Sequence, residues 1–370
     1  PTPAVAYLTV LKGADAGIVI SASHNPYEHN GIKVFNEKGY KLPDAIEEQV
    51  EEKILTDIYP AATHGEIGVL RHGLRQSREA YIDHLAGTIE SDLSGLRLLV
   101  DCSNGASSAT APELFGRFRC FCDFIHREPD GVNINLDCGS THLEALCVYV
   151  RENRLPLGVA FDGDADRCLC VNENGEVVDG DFIMAICARD MLRRGKLARK
   201  TVVGTIMANM GFSKFCEENG INFIPTKVGD RYVLEEMEME GYCFGGEQSG
   251  HVIFRDFATT GDGQLTAVQL LAHLKQENLT LAEAAKVMKR YPQTMINVNV
   301  SHDGKLAFYM DAEVKRAIEE GKARLAENGR VVARVSGTEP LIRIMVEGLD
   351  ETLIQEVAEQ IAGVVRERLA

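Results

Sequence analysis

Three segments of the chain repeat one pattern, in which an apolar strand ends in a loop of small polar residues and glycine. The strands cover residues 17–20, 96–101 and 201–204, and helices alternate with strands through the second and third segments. Alternation of strand and helix is typical of α/β folds, in which helices cover the faces of a sheet. The repetition predicts three similar α/β domains in tandem, each built on a mixed sheet.

The order of elements changes after residue 293. Strands are predicted at 296–300, 331–335 and 341–346, with helices near 306–325 and over 351–369. The last helix has one apolar face at helical spacing, which consists of Leu353, Ile354, Val357, Ile361, Val364, Val365 and Leu369. These elements predict a small α+β domain at the end of the chain.

The predicted fold class is therefore α/β, with three similar mixed-sheet domains followed by the small α+β domain. A stretch that contains glycine, histidine and arginine, His64 to Arg75, marks the first boundary. The predicted domain bounds are 1–75, 76–176, 177–292 and 293–370.

Composition excludes several classes of protein. The chain carries 39 basic and 55 acidic residues, a net charge of −16, and it has no run of lysine and arginine that could bind nucleic acid. It has no run of 18 apolar residues, and no signal peptide is visible in a chain that begins at Pro1. The ten cysteines include no Cys-x-x-Cys pair. This usage favours reduced, packed thiols, and we expect a cytoplasmic protein with no nucleic-acid or membrane partner.

Three aspartates follow the apolar strand 157–161 at alternate positions. Asp162, Asp164 and Asp166 are separated only by glycine and alanine, which let the backbone curl until the three carboxylates meet. Like charges this close repel one another, and a divalent cation relieves that repulsion. Ligands that are all oxygen favour magnesium or calcium over zinc. A solvated acidic turn is the alternative, and the buried strand before the loop disfavours it.

An EF-hand calcium loop would place the same aspartates at its first, third and fifth positions and Glu173 at its twelfth. Its sixth position needs glycine, but Arg167 stands there. Strands rather than helices are predicted on both sides. The sequence therefore excludes an EF-hand.

Two further loops join predicted strands and carry polar side chains. The loop from Arg334 to Arg343 reads Arg-Val-Ser-Gly-Thr-Glu-Pro-Leu-Ile-Arg, and its hydroxyls, backbone N–H groups and arginines suit a phosphate. The loop Gly245–His251 places glutamate, glutamine, serine and histidine at strand ends, and these groups suit sugar hydroxyls. A plain hairpin and an ordinary glycine turn are the respective alternatives.

The first strand runs into Ser-Ala-Ser-His-Asn-Pro, and Asn30-Gly31 then predicts a turn. A serine hydroxyl needs a neighbouring base or cation to act as a nucleophile, and His24 and Lys33 are the nearest candidates in sequence. The residues alone do not choose between Ser21 and Ser23. Ordinary turn chemistry is the alternative for this loop.

Taken together, the four loops resemble the α-D-phosphohexomutase family, in order and over nearly the whole chain. The motifs that carry the resemblance are Ser-Ala-Ser-His-Asn-Pro, Asp-Gly-Asp-Ala-Asp-Arg, Gly-Glu-Gln-Ser-Gly-His and Arg-Val-Ser-Gly-Thr-Glu-Pro. Gln248 and the segment Val228–Val233 are most similar to the bacterial branch that acts on glucosamine phosphates. The family fold implies that the domains surround a central cleft, with the last domain hinging.

The resemblance implies a role for each matching residue. It selects Ser23 as the phosphoserine, and it implies a transfer from this group to the sugar, with His24 or Lys33 moving the hydroxyl proton. The implied catalytic residues are Ser23, His24, Lys33 and Arg167, and the implied metal ligands are Ser23, Asp162, Asp164 and Asp166. The implied substrate ligands are Lys227, Gly229, Arg231, Glu247, Ser249 and His251, and the implied phosphate ligands are Arg334, Ser336, Gly337, Thr338 and Arg343.

The family implies one Mg²⁺ per chain, a phosphosugar substrate, a glucose or glucosamine 1,6-bisphosphate activator and a homodimer as a candidate assembly. Its glucosamine branch supplies a precursor of UDP-N-acetylglucosamine and the cell wall. Family members carry a further segment, with a Gly-Thr-Ser-Gly-Ile-Arg-Gly-like motif, before the point that corresponds to Pro1. We therefore expect the first domain to be incomplete, with an open sheet edge, and the polypeptide to be inactive as it stands.

Other activities would use the same residues. A mutase for mannose or glucose phosphates is the nearest alternative. A phosphatase would use the same serine and release inorganic phosphate, and a non-catalytic protein would only bind phosphosugars. These alternatives differ in turnover, in phosphate release and in the presence of phosphoserine.

Overall fold

The computed structural model describes residues 1–57, 62–336 and 339–370. The chain forms two compact units. The first contains Pro1–Val203 and Gly229–Val287, and the second contains Gly204–Val228 and Met288–Ala370. The chain therefore passes between the units three times.

The first region is a small α/β element that presents the serine loop. Its elements are α1 (Thr2–Leu11), β1 (Ala16–Ser21), β2 (Gly31–Asn36) and α2 (Asp44–Leu55). Strands β1 and β2 form a two-stranded antiparallel sheet in which Val19 pairs with Lys33. Ile18, Ile20 and Ile32 of this sheet are exposed. Because Ser21 ends β1, the serine motif begins where the strand stops.

The second region holds a five-stranded mixed sheet in the order β4-β3-β5-β6-β7. Its elements are α3 (Leu74–Ala86), β3 (Arg97–Asp101), α4 (Ser107–Arg117), β4 (Phe121–Ile125), α5 (Glu144–Glu152), β5 (Leu157–Phe161), β6 (Cys168–Asn172) and β7 (Val177–Val178). Strand β3 runs parallel to β4 and β5. Strand β6 runs antiparallel to β5, and β7 runs antiparallel to β6. Every residue of β5 and β6 is buried, and the aspartate loop joins these two strands.

The third region alternates between the two units. Its elements are α6 (Gly180–Arg193), β8 (Thr201–Thr205), α7 (Met210–Glu218), β9 (Asn222–Thr226), α8 (Asp230–Glu240), β10 (Phe244–Gly246), β11 (Val252–Phe254), α9 (Gly263–Glu277) and α10 (Leu281–Ala285). In the first unit β10 pairs with β11 antiparallel and with β8 parallel, where Gly245 faces Val203. Helix α7 and strand β9 belong to the second unit.

The last region is the predicted α+β domain. Its elements are β12 (Gln293–Asn299), α11 (His302–Ala307), α12 (Ala312–Leu325), β13 (Gly329–Val335), β14 (Leu341–Gly348) and α13 (Glu351–Leu369). The sheet is antiparallel in the order β12-β14-β13, and the apolar face of α13 joins its core. The single helix predicted near 306–325 is wrong. Asp311 begins a new helix there, because its carboxylate accepts hydrogen bonds from the backbone N–H groups of Glu313 and Val314.

An ion pair between the partly buried Arg330 and the buried Glu347 joins the two stretches of chain that make up the second unit. The Glu347 carboxylate is completely buried and accepts hydrogen bonds from the backbone N–H of Met210 at 2.9 Å and from Gln293 Nε2 at 3.1 Å. Arg330 Nε donates to the other oxygen at 2.7 Å. The Arg330 guanidinium also donates to the carbonyl groups of Ile206 and Ala208. Residues 206–210 are thereby fixed to the C-terminal sheet.

All ten cysteines are free thiols. Among the helices of the described ranges 1–57, 62–336 and 339–370, none combines the length and the apolar composition that crossing a bilayer would require.

Candidate active site

The three aspartates of the loop between β5 and β6 lie together. Asp162, Asp164 and Asp166 are each at most 4% exposed, and one carboxylate oxygen from each lies within 4.8 Å of the others. The backbone turns back at Ala165, whose φ of 59° is left-handed. Gly163 leaves no room for a side chain, since a Cβ there would come within 2.4 Å of the Ser23 carbonyl oxygen. The small spacers thus allow the convergence that the sequence predicts.

The cluster has unused acceptors. Asp162 Oδ2 and Asp166 Oδ1 are buried and have no hydrogen-bond partner among the described residues. Burial and the charges of the other two aspartates raise the pKa of Asp162. Burial also opposes ionisation of Asp166, but His251, Lys33 and Arg167 outweigh it and lower its pKa. Buried carboxylate oxygens without partners fit a hard divalent cation such as Mg²⁺.

Ser23 reaches this cluster from a distant part of the chain. Its Oγ donates a hydrogen bond to Asp164 Oδ1 at 3.1 Å across 141 positions of sequence. Ser21 lies behind it, because Ser21 Oγ accepts a hydrogen bond from the Ser23 backbone N–H at 3.0 Å. Of the two serines that the residues left open, Ser23 is the one that touches an aspartate. Its φ of 55° is left-handed, an uncommon conformation for serine.

Lys33 brings a positive charge to the same carboxylates. Its Nζ lies 2.5 Å from Asp164 Oδ2 and 3.2 Å from Asp166 Oδ2. Burial opposes the charge of the ammonium, but the two aspartates outweigh it and raise the pKa of Lys33. Thr2 Oγ1 also donates to Asp164 Oδ2, at 2.6 Å. No sequence pattern near the start of α1 indicates this contact, which spans 162 positions of the chain.

Arg167 and His24 are the other predicted catalytic residues. The backbone N–H of Arg167 donates to Asp162 Oδ1 at 3.1 Å, and its Nε lies 4.0 Å from Asp162 Oδ2 and 3.9 Å from Asp166 Oδ1. Partial desolvation, together with the charge of Arg167, lowers the pKa of His24. This shift favours the neutral imidazole, the form that accepts a proton.

His251 is placed differently from the other predicted substrate ligands. It is 3% exposed, with Nδ1 3.5 Å from Asp166 Oδ1 and Nε2 3.5 Å from Asp230 Oδ2. The backbone N–H of Gly261 donates to Nε2 at 3.0 Å. Contact between His251 and a sugar stays a prediction that this burial disfavours. The position instead suits a residue that orients Asp166.

The other predicted substrate ligands, except Lys227, also lie in the first unit. Glu247 Oε1 accepts a hydrogen bond from the backbone N–H of Gly229 at 3.2 Å, and Gly229 has a φ of 131° that favours glycine. Ser249 Oγ is buried without a partner among the described residues. Arg231 forms ion pairs with Asp44 and Glu235, so its charge is already matched. Lys227 belongs to the second unit.

The predicted phosphate loop lies in the second unit and pairs two arginines across strands. Arg334 of β13 is directly opposite Arg343 of β14, and the Nε of each is buried without a partner among the described residues. Burial and the charge of Arg343 lower the pKa of Arg334. Like charges opposite each other in a sheet are destabilising unless an anion neutralises them, and the Arg343 guanidinium has one such partner in the exposed carboxylate of Glu339. The buried Ser336 accepts a hydrogen bond from the backbone N–H of Glu339. The predicted ligands Gly337 and Thr338 lie outside the described residues.

Family models for all four domains of the phosphoglucomutase/phosphomannomutase family match the chain. Domain I, an alpha/beta/alpha domain, matches residues 1–60, and domains II and III, of the same type, match 79–175 and 179–291. The C-terminal domain matches 295–364. Together these matches cover most of the chain.

Curated relatives and solved structures agree with the domain models. The chain is 49% identical to the phosphoglucosamine mutase of Alkaliphilus oremlandii and 50% identical to that of Thermoanaerobacter sp. strain X514, over its whole length and over 82% and 83% of those proteins. A phosphoglucomutase/phosphomannomutase family protein from Burkholderia thailandensis has a similar fold, with a TM-score of 0.81 at 21% identity, over 100% of this chain and 82% of that one.

Another similar structure is that of Aspergillus fumigatus N-acetylphosphoglucosamine mutase in complex with GlcNAc-6P and magnesium. Its TM-score is 0.72 at 19% identity, over 100% of this chain and 93% of that one. The domain models and the relatives at about half identity give the same assignment. The chain belongs to the phosphoglucomutase/phosphomannomutase family, the α-D-phosphohexomutases.

Proposed function

We propose that this chain is a phosphoglucosamine mutase, which interconverts glucosamine 6-phosphate and glucosamine 1-phosphate through phosphorylated Ser23 and a 1,6-bisphosphate. The reaction would supply a precursor of UDP-N-acetylglucosamine and the cell wall. The relatives at 49% and 50% identity, named phosphoglucosamine mutase, support this choice of sugar. An enzyme of this kind is an isomerase that acts by transferring a phosphoryl group.

One observation carries the catalytic part of the proposal. Ser23 Oγ lies 3.1 Å from Asp164 Oδ1, although 141 positions of chain separate the two residues. The three buried carboxylates repel one another, so this cluster costs stability. A hydroxyl placed beside these aspartates and a lysine is therefore not expected to serve only the fold. It is well placed for a phosphoryl group whose oxygens share a cation with those carboxylates.

The transfer conserves one phosphoryl group. In the first half-reaction the bond between phosphorus and Ser23 Oγ breaks, and a new bond forms between phosphorus and the free hydroxyl oxygen of the hexose phosphate. The proton of that hydroxyl passes to a base, and Ser23 Oγ takes up a proton as it leaves phosphorus. The 1,6-bisphosphate then reorients, the bond between its other phosphorus and the sugar oxygen breaks as that phosphoryl group returns to Ser23 Oγ, and the proton of Ser23 passes through the base to the sugar oxygen, which leaves the isomeric monophosphate. One serine serves both halves.

The side chains divide the work between proton transfer and charge stabilisation. The lowered pKa of His24 suits it to accept the hydroxyl proton, whereas Lys33, held as an ammonium by Asp164 and Asp166, suits charge stabilisation. Mg²⁺ held by Asp162, Asp164 and Asp166 would neutralise the charge that spreads over the phosphoryl oxygens.

The remaining predicted residues bind the substrate. Glu247 and Ser249 would bind sugar hydroxyls, and the unpartnered Ser249 Oγ supports this role. Arg334 and Arg343 would hold the phosphate that does not react, which their position opposite each other supports. Gly337, Thr338 and Lys227 keep their predicted roles as part of the same proposal.

Intact mass and mutase activity test the proposal. The parent protein, produced with the N-terminal segment that family members carry, should carry one phosphate at Ser23 and should convert glucosamine 6-phosphate to glucosamine 1-phosphate. Ser23→Ala should remove the phosphate and lower turnover by roughly 10³-fold or more, because no other group forms the covalent intermediate. Ser94→Ala is the control, since the hydroxyl of Ser94 donates to the neighbouring Asp92 and, among the described residues, has no bond to the serine loop.

Substrate comparison tests the choice of sugar. Turnover of glucosamine 6-phosphate should exceed that of mannose 6-phosphate and glucose 6-phosphate under the same conditions. A preference for either of those sugars would replace the assignment within the family. Steady release of inorganic phosphate without isomerisation would show a phosphatase, and Ser23→Ala with unchanged turnover would contradict the mechanism.

A bisphosphate activator is part of the same proposal. Protein that has lost its phosphate should regain it, with activity, when glucose or glucosamine 1,6-bisphosphate is added. A homodimer and a cytoplasmic location complete the proposal, and sedimentation and cell fractionation would test them.

A further inference from the structure

One asparagine of the second region is hydrogen bonded to the serine loop of the first. Asn135 Nδ2 donates to the carbonyl oxygen of Ser23 and to that of Asn25, both at 2.8 Å. These two carbonyls lie on either side of His24. Asn135 is 6% exposed and far from the loop in sequence, at separations of 112 and 110 positions. One buried amide group therefore bridges the turn that contains Ser23 and His24.

Asn135 is itself held in place. Its Oδ1 accepts a hydrogen bond from Ser103 Oγ at 2.7 Å, and its backbone N–H donates to the Ser103 carbonyl at 3.0 Å. The backbone N–H of Ser103 in turn donates to Asp101 Oδ1 at 2.9 Å. Ser103 and Asp101 are both completely buried at the end of β3. Because the hydroxyl of Ser103 donates to Oδ1, the amide nitrogen is directed towards the two carbonyls.

The serine loop needs such a support. Ser23 has a left-handed φ of 55°, and within the loop its backbone N–H bonds to Ser21 Oγ while that of Asn25 bonds to the Ala22 carbonyl. A strained backbone persists only where its surroundings fix it. The aspartate loop contacts the same place, since a Cβ at Gly163 would meet Ser23 O at 2.4 Å and Asn135 Nδ2 at 2.8 Å.

We infer that Asn135 is a positioning residue for phosphoryl transfer. It holds the Ser23 turn against the aspartate loop and so keeps Ser23 Oγ at its distance from Asp164. This inference rests on the proposed function. A shift of about 1 Å in a reacting group can cost about 100-fold in rate, whereas substrate binding depends on other side chains. Loss of the Asn135 bridge should therefore lower kcat and leave KM nearly unchanged.

The test compares two neighbouring asparagines. Asn135→Asp keeps the shape of the side chain but turns its carboxylate towards the two carbonyls, so the bridge is lost. Asn133→Asp is the matched control. Asn133 lies in the same loop, and within the described residues its side chain forms hydrogen bonds with backbone groups of Glu128 and Asp130. We expect kcat to fall about 100-fold in Asn135→Asp, with KM changed less than about threefold, and Asn133→Asp to match the parent.

Hydrogen exchange gives a second measurement that does not depend on activity. The amides of residues 22–25 should exchange faster in Asn135→Asp than in Asn133→Asp. If Asn135→Asp fails to fold, Ser103→Ala takes its place. This change removes the hydroxyl that orients the Asn135 amide, and it should lower kcat on the order of tenfold while speeding the same exchange.

The outcomes separate this inference from the proposed function. A parent protein without phosphoserine and without mutase activity would overturn the proposed function and the catalytic role of Asn135 with it. An active parent, together with equal kcat and equal exchange in Asn135→Asp and Asn133→Asp, would overturn the role of Asn135 alone. A higher KM with unchanged kcat would also overturn it.

Discussion

Each of the two units buries negative charge, but they compensate for it differently. In the second unit, Glu347 is completely buried, and both of its oxygens accept hydrogen bonds, one of them from the Arg330 guanidinium. In the first unit, Asp162 and Asp166 lie in a cluster that contains Lys33, yet each keeps one buried oxygen without a hydrogen bond among the described residues. Among the described residues, the aspartate cluster of the first unit leaves buried oxygens without hydrogen bonds, whereas the Glu347 carboxylate of the second unit does not.

This difference separates a structural site from a functional one. A buried carboxylate without partners costs stability, and a chain can remove that cost by adding donors, as it does around Glu347. Around Asp162 Oδ2 and Asp166 Oδ1 the nearest side-chain donors of the described residues, Arg167 Nε and His251 Nδ1, lie at 3.5–4.0 Å and form no hydrogen bond. We therefore expect stability to depend on side-chain partners in the second unit and on an added cation in the first.

The largest effect on stability is expected at Glu347, where both carboxylate oxygens accept hydrogen bonds. Arg330→Met leaves the Glu347 carboxylate buried without its cation and removes two hydrogen bonds to backbone carbonyls. The free energy of unfolding of the second unit should fall by about 3–5 kcal/mol. Urea titration, with hydrogen exchange of the β14 amides as the readout, would measure this free energy.

Arg324→Met is the control for that change. Arg324 forms an exposed ion pair with Glu356, and its loss should cost less than about 1 kcal/mol. Equal losses in the two variants would show that the buried pair does not hold the unit together.

The next largest effect is a dependence of stability on pH, which arises from a carboxylate elsewhere in the first unit. Asp262 is buried and accepts hydrogen bonds from Tyr81 Oη at 2.8 Å and from the backbone N–H of Leu265. Burial raises its pKa to about 6, above the ordinary 3.8. The folded state therefore keeps a proton that the unfolded state has lost. As pH rises from about 4 to 6, the free energy of unfolding should fall by roughly 3 kcal/mol from this group and then stay level.

Asp262→Asn isolates that contribution. The variant keeps the acceptor for Leu265 and cannot ionise, so the fall between pH 4 and 6 should be absent from it. The measurement is the difference in unfolding free energy between parent and variant at several pH values. Parallel pH curves for the two proteins would show that Asp262 ionises as freely in the folded chain as in the unfolded one.

The smallest of the three effects on stability is the one that comes from binding of Mg²⁺. Mg²⁺ at about 100 times its Kd should stabilise the first unit by about 2.7 kcal/mol, since it binds the folded state. Asp162→Asn should abolish this gain, and Asp256→Asn, which changes an exposed aspartate, should retain it. The second unit should not respond and serves as an internal control in the thermal unfolding curve. Equal stabilisation of parent and Asp162→Asn would place the ion elsewhere.

The sequence predicts best what is local in the chain. The aspartate loop and the α+β order of the last region follow from spacing and periodicity over a few residues. The break at Asp311 could also have been read from sequence, since an aspartate before Ala-Glu-Val is a helix start. The predicted turn at Asn30-Gly31 is replaced by a single helical turn at Tyr27–His29, and β2 already begins at Gly31.

Contacts between distant segments were beyond the sequence. Thr2 and Asn135 reach the site across separations of 162 and 112 positions. Neither residue lies in a pattern that indicates a ligand, and only the packing of one region on another brings them there. His251 shows the converse case, because its motif indicates a substrate ligand while its two ring nitrogens lie 3.5 Å from Asp166 and Asp230.

The divided second unit has a consequence for how the protein is made. Met210 leaves the ribosome 137 residues before Glu347, the partner of its backbone N–H, and at ordinary synthesis rates this delay is on the order of ten seconds. During that time the backbone groups of Ile206, Ala208 and Met210 wait without Arg330 and Glu347, to which they bond in the folded unit. A truncated gene that starts at residue 288 would never supply them, so Arg330 and Glu347 would fold without the backbone groups that they bind.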